Sequence, residues 1–233
     1  MRQINSPNAQ QKGGINKPFQ FSANYKIAEV AARMGIKDLS KMQITTRQIY
    51  HAIKIAVNAN GQTFDFFKGV NATTFPFTNL TENKLQAGEA LAVERSYLSI
   101  LKVAAGSPIN IIDVLPVEFY PEFRGLLRSD FDLNIDRQTV TKRINTTSWY
   151  APFNKDANFG SFINIGTQDA PSFANYGQSV YHFDNSFVII PQIEFTGTLT
   201  VPAITALPAG NFDYYLMLNL EGLGCLFNPK GNY

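Results

Sequence analysis

The stretch His51-Ala-Ile-Lys-Ile-Ala-Val57 decides the reading of the fold. Ile53, Ile55 and Val57 recur at every second position, the period of a strand with one apolar face. Asn58-Ala-Asn-Gly61 then reads as a turn and Thr63-Phe-Asp-Phe-Phe67 resumes the alternation, which predicts a hairpin. Further strands are predicted over 90–103, 111–119, 130–136, 139–144, 161–166, 187–195, 197–201 and 212–220. Turn signals at Gly106-Ser-Pro108, Pro121, Asn154 to Asn158 and Pro208-Ala-Gly210 separate them. Short strands with almost no crossover helices exclude a parallel α/β fold. The expectation is an all-β sandwich or barrel with Greek-key connections.

Upstream the period changes. Ile27, Val30, Ala31 and Met34 sit at i, i+3, i+4 and i+7, the stripe of one short amphipathic helix, and Gly35 stands where a left-handed C-cap belongs. So narrow a stripe predicts a helix laid on a sheet or on a partner. A second, weaker helical segment is expected after Thr45, through Gln48 and Ile49. Residues 1–24 are rich in Asn, Gln, Gly and Ser and too poor in apolar residues to bury themselves. Arg2, Lys12, Lys17 and Lys26 all precede the first acid, Glu29. The sharper expectation for this basic N-terminal arm is that it orders on a neighbouring subunit, a membrane surface or a genome; the plainer one is a mobile terminus.

Composition narrows the function. With 20 Lys+Arg against 18 Asp+Glu the net charge is +2, too small for wholesale nucleic-acid binding. Charged residues make up only 16%, below the roughly 25% usual for soluble domains. Phe (19), Tyr (10) and Asn (21) take their place, as fits β-structure with uncharged polar surfaces. One cysteine, Cys225, precludes an internal disulfide. The longest apolar runs, such as Tyr214 to Leu218, fall far short of the roughly 20 residues of a membrane span. The start lacks the apolar core of a secretory signal, so synthesis in the cytosol is expected. Three sequons, at Asn71, Asn79 and Asn145, carry no weight in so Asn-rich a chain.

No catalytic motif emerges. Asp130-Phe-Asp-Leu-Asn-Ile-Asp136 opens like an EF-hand loop, but Ile135 occupies the sixth position and Thr141 the twelfth. The same residues fit a strand with Asp130, Asp132, Asn134 and Asp136 toward water, and a structural cation on Asp130, Asp132 and Asp136 is the sharper alternative. Gly222-Leu-Gly224 lacks the third glycine of a dinucleotide site and is expected to let the last strand bend. His51, His182 and Cys225 show no spacing that supports a nucleophile or a metal. Glu89 and Glu94 flank a predicted strand, about 16 Å apart along it, too far for a glycosidase pair. Clustered aromatics (Phe64, Phe66, Phe67, Phe75 and Phe77; Phe119, Tyr120 and Phe123; Trp149 and Tyr150) read as sheet core or interface, with a sugar platform as the alternative. No catalytic residue, cofactor or enzymatic activity is expected.

A basic arm, one amphipathic helix and an Asn- and Phe-rich, cysteine-poor β body resemble the jelly-roll major capsid proteins of membrane-containing bacteriophages. Thr78 to Tyr97 (TNLTENKLQAGEALAVERSY) has the loop-then-strand character of phage virion proteins. The resemblance implies a double jelly roll, homotrimeric capsomers of an icosahedral shell and contacts with neighbouring capsomers and other virion proteins. It also implies assembly in the host cytoplasm, residence in the virion, and a terminal arm that touches an internal membrane or the next capsomer. The residues expected to serve assembly are Arg2, Lys12, Lys17, Lys26, Ile27, Val30 and Met34. The expected division is an arm over 1–24, helix and linker over 25–44, and barrels over 45–128 and 129–233. One elaborated sandwich over 45–233 is the alternative, and a carbohydrate-binding sandwich or a minor virion or spike protein the alternative function. A faint echo between Ile112–Phe119 and Val188–Phe195, each with an internal proline, fits either duplication or chance; the proline places each run at an edge or bulge.

Overall fold

The computed structural model describes residues 23–33, 42–56, 61–70, 73, 75–106, 111–117, 121–149, 180–202, 207 and 210–227. Helix α1 spans Ala23–Arg33. Among the described residues the strands are β1 (Met42–Lys54), β2 (Thr63–Phe66), β3 (Glu89–Ala104), β4 (Ile111–Pro116), β5 (Asp130–Ile135), β6 (Gln138–Asn145), β7 (Tyr181–Ile189), β8 (Phe195–Thr200) and β9 (Phe212–Phe227).

Two antiparallel sheets result, an all-β sandwich with one helix. One sheet runs β1-β9-β3-β4, and the other β2-β8-β5-β6. The long β3 carries β7 along Leu91–Ser96 and β4 along Ser99–Val103, so β7 and β4 lie end to end on one edge. With β4 set aside, the pairs are nested along the chain. The innermost pair is β5 with β6, followed outward by β3 with β7, β2 with β8 and β1 with β9. Successive tiers fall in alternate sheets, stitched together by β9 on β3 and β8 on β5.

Alternation fills the space between the sheets. Tyr214, Leu216, Leu218 and Leu220 of β9 face Phe64 and Phe66 of β2, Phe131 and Leu133 of β5 and Leu199 of β8 in one buried core. Its rings interlock: Phe67 and Phe195 lie 5.0 Å apart, and Phe131 meets Trp149 edge-on at 5.1 Å. Burying a side chain of this size contributes about 1.5–3 kcal/mol. In β3 the inward positions are Leu91 and Val93, then Leu98 and Ile100. The parity flips because the register shifts between Val93 and Arg95, leaving Glu94 as the extra residue of a β-bulge.

Several expectations need correction. The segment after Thr45 is not helical; it is the body of β1. The proposed hairpin of 51–57 with 63–67 does not form, because β1 pairs with β9 and β2 with β8. At Ile55 the chain leaves the ladder, its N–H reaching Tyr214 O at 2.8 Å, and crosses to the opposite sheet. The period of two marks a strand but cannot say which strand lies alongside. The run 187–195 straddles the end of β7, a break at Pro191 and the start of β8. The strand expected over 161–166 lies outside the described residues. The last strand extends beyond 220 through Gly222-Leu-Gly224 to Phe227. Both sheets combine strands from before and after residue 128, so pairing crosses the division between 45–128 and 129–233. Helix α1 starts at Ala23, two residues inside the segment assigned to the arm.

Candidate functional site

The outer face of the five-stranded sheet gathers three of the residues singled out for assembly, Lys26, Ile27 and Val30. Ile27 and Ala31 of α1 are fully buried against Ala90 and Ala92 of β3 and Cys225 and Phe227 of β9, with Val30 packed at the margin. The two alanines keep this seat shallow, so an 11-residue helix that would be marginal alone lies flat on the strands. Lys26 stands beside this seat, and its burial lowers the ammonium pKa while Glu29, one turn on, opposes the shift. Arg2, Lys12, Lys17 and Met34 lie outside the described residues.

At the far end of the same face, Phe77 stacks on Tyr215 at 4.4 Å over Leu101, Val103 and Ala52. Between the two apolar ends lies a polar band. Gln48 Nε2 donates to Tyr97 Oη at 2.6 Å and to Asn219 Oδ1 at 2.7 Å. Arg95 pairs with Glu221 at 2.8 Å. Asn219 is fully buried there, and the network satisfies its polar side chain.

The histidines and the cysteine stand apart. His51 sits inside β1, buried between the sheets, where its Nδ1 accepts the Phe67 N–H at 2.8 Å and Nε2 lies 3.3 Å from Thr73 Oγ1. Desolvation lowers its pKa to about 4, so it is neutral at pH 7. Phe67 adopts φ 64° in turning its amide to the ring. His182 lies on the surface of β7, and Cys225 is buried under α1, where desolvation raises the thiol pKa and disfavours the thiolate.

The carboxylate row divides as the strand reading expects. Phe131 and Leu133 are buried, while Asp130 is exposed. Asp136 leaves the strand: with Arg137 it forms the two-residue turn joining β5 to β6, φ 49° and 62°, the geometry of a type I′ hairpin. Asp132 Oδ1 accepts the Arg143 N–H at 2.6 Å. Among the described residues no group of three His, Cys, Asp or Glu side chains could hold a metal ion. Of the two glutamates weighed as a pair, Glu94 is the bulge residue and Glu89 binds Arg47 at 2.9 Å.

The sheet edges carry a feature that no motif announced. Asn79 acts as a surrogate strand for β1: its Nδ2 donates to Gln48 O at 2.7 Å and its Oδ1 accepts the Tyr50 N–H at 3.0 Å. The only sequence signal was one Asn among many, in a sequon read as chance. What the arrangement offers is chemistry of contact, an outer face with apolar ends and a polar middle, bounded by edges of different openness. No family model, curated protein or solved structure matches the chain.

Proposed function

We propose that the chain is a structural virion protein, a jelly-roll capsid subunit that assembles with copies of itself. Strand order is the observation that carries this reading. Numbered consecutively without β4, the strands give sheets ordered 1-8-3-6 and 2-7-4-5. That is the order of an antiparallel ribbon of four nested pairs rolled into a sandwich, the architecture shared by viral capsid and lectin jelly rolls. On this reading each chain holds one jelly roll, and β4 is an insertion between its third and fourth strands.

The surface favours a shell subunit over a sugar-binding module. Among the described residues the exposed large aromatics are Tyr25 and Phe75, while Trp149, Phe64, Phe66, Phe123 and Phe131 are buried, leaving no aromatic platform in view. A low fraction of charge suits contacts whose centres exclude water. Trimeric capsomers, neighbouring capsomers and other virion proteins are the proposed partners, in an icosahedral shell assembled in the host cytoplasm. The basic arm, through Arg2, Lys12 and Lys17, is proposed to meet internal membrane lipid, with no specific nucleic acid bound.

Light scattering with electron microscopy of the purified protein tests the reading. Trimers or larger assemblies, and closed particles of uniform size, are the expected result. A stable monomer at micromolar concentration and physiological salt overturns it.

A further inference from the structure

Strand β1 changes character at Gln48. From there onward its outer edge is covered: Asn79 binds Gln48 O and the Tyr50 N–H, Phe77 O accepts the Ala52 N–H at 2.7 Å, and Thr78 Oγ1 donates to Tyr50 O at 3.0 Å. These contacts show that the even-numbered residues point N–H and C=O away from β9, since both groups of one strand residue share a side. The same alternation puts the N–H and C=O of Ile44 and Thr46, the Met42 C=O and the Gln48 N–H along the bare part of the edge. Among the described residues nothing pairs with them. Gln43, Ile44, Thr45 and Thr46 are all exposed, Ile44 at 45%.

The other edges are guarded. Asp113 Oδ1 takes up the Val114 N–H of β4 at 2.8 Å. In β6, Arg143 has φ 50° where the register with β5 shifts, and exposed Lys142 and Arg143 charge the edge. The partner register of β7 is broken opposite the bulge, and β2 has only 4 residues. Short edges, bulges and charges are the devices that block strand addition. Residues 43–46 have none of them; of the charges that flank them in sequence, Arg47 is matched by Glu89, and Lys41 lies outside the described residues.

We propose that this edge pairs with the same edge of a second copy, antiparallel about Thr45; the inference rests on the self-assembly reading and names its contact. The free groups run from Met42 to Gln48, and Thr45 is their midpoint. Antiparallel pairing about that point lets Ile44 of each copy exchange hydrogen bonds with Thr46 of the other, about four backbone bonds in all. Thr45 meets Thr45 in the close non-hydrogen-bonded pair, and Gln43 faces Arg47. No like charges oppose, so the strand is its own complement in charge as well as in hydrogen bonding.

The test is cysteine cross-linking in full-length protein carrying Cys225→Ala. Thr45→Cys is expected to give a disulfide-linked dimer on mild oxidation, and Lys142→Cys on the guarded edge of β6 to give none. Thr46→Pro removes only an outward N–H, so its circular dichroism should match wild type while sedimentation shows dimerisation weakened about tenfold or more. If the protein assembles but Thr45→Cys does not cross-link and Thr46→Pro changes nothing, the strand contact is wrong and self-assembly stands. If Thr45→Cys cross-links into dimers that never build particles, the contact stands and the capsid reading falls. A wild-type monomer at about 100 μM overturns both.

Discussion

Arg47 and Glu89 form a 2.9 Å ion pair although their strands never touch. β9 lies between β1 and β3, and the Arg47 side chain crosses it over Gly224, where a Cβ would stand 2.5 Å from Arg47 Cβ. Two residues earlier the bulge in β3 folds the Ala92 carbonyl inward, so that a Cβ on Gly222 would lie 2.0 Å from Ala92 O. The Gly-Leu-Gly tripeptide is thus a place of close approach, and β9 continues through it in unbroken register with β1.

Substitution at the two glycines should therefore separate in size. Gly222→Ala would drive its Cβ into the Ala92 carbonyl at 2.0 Å and is expected to cost about 3 kcal/mol or more. Gly224→Ala meets the Arg47 Cβ at 2.5 Å, a smaller overlap that still requires β1 to shift, and is expected to cost about 1–2 kcal/mol. In a chain of this length each kcal/mol moves the thermal midpoint by about 2–4 °C. Thermal unfolding of the two variants checks the order; equal midpoints would refute the account of the bulge.

Stability should fall as pH drops from about 6.5 toward 4. Burial holds the His51 pKa at about 4, below its ordinary value of 6.5, so the unfolded chain binds the proton first. Between those values stability rises with pH, by at most about 1.4 kcal/mol per unit, and above pH 7 this contribution is flat. Urea midpoints at pH 7 and pH 5 measure it. His51→Asn should lower the midpoint at pH 7 yet flatten the difference between the two.

Much of the fold was legible from alternation. Phe131, Leu133, Asp130 and Asp132 announced both faces of β5, and Ile27, Val30 and Ala31 announced a helix laid on a surface. What failed to show was pairing at long range. His51–Val57 alternates identically whether its neighbour is β2, close in sequence, or β9, some 170 residues away, and the true partner is the distant one. The segment after Thr45, through Gln48 and Ile49, misled for another reason: Gln43 to Thr46, which lead into it, are all exposed and display no period of two. The Glu94 bulge was hidden because β3 keeps an apolar run on either side of the flip. The edge-capping amide of Asn79 was equally invisible, since its partners Gln48 and Tyr50 belong to another element.

Removing that amide should both weaken and expose β1. Asn79→Ala loses two hydrogen bonds at a solvent-facing edge, which is expected to cost about 1–2 kcal/mol. It also lengthens the bare edge beyond Gln48 and should raise turbidity on mild heating. Unfolding curves together with light scattering at about 45 °C distinguish this from a simple loss of stability, in which scattering would follow the unfolded fraction alone.

Cys225 offers a reporter of helix docking. The thiol is 3% exposed beneath Ile27 and Ala31, and desolvation raises its pKa. A small disulfide reagent should react with it far more slowly than with denatured protein. Ala31→Asp places a carboxylate in the seat and is expected to speed labelling at least tenfold while leaving the strand signal in circular dichroism intact. Unchanged labelling would mean that something other than α1 shields the thiol.

The basic segment before α1 should matter to assembly and not to the fold of the subunit. Residues 1–22 carry Arg2, Lys12 and Lys17 without an acid, and they have no apolar periodicity to contribute to a core. Among the described residues, Ile27 and Ala31 seat α1 on β3 and β9, and the side chains between the sheets run from Ile49 onward. An anionic bilayer attracts about 1 kcal/mol per basic residue close to its surface, so three cations could hold the segment there by a few kcal/mol, less as salt is added. Deleting residues 1–22, with α1 kept, should leave the thermal midpoint of the isolated subunit within about 1 °C of the full chain. Co-sedimentation with vesicles containing about 30% phosphatidylserine should drop to the level seen with neutral vesicles, and particle yield should fall. A large fall in the midpoint would place the segment in the fold. Undiminished vesicle binding with normal particle yield would remove lipid contact and assembly from its role.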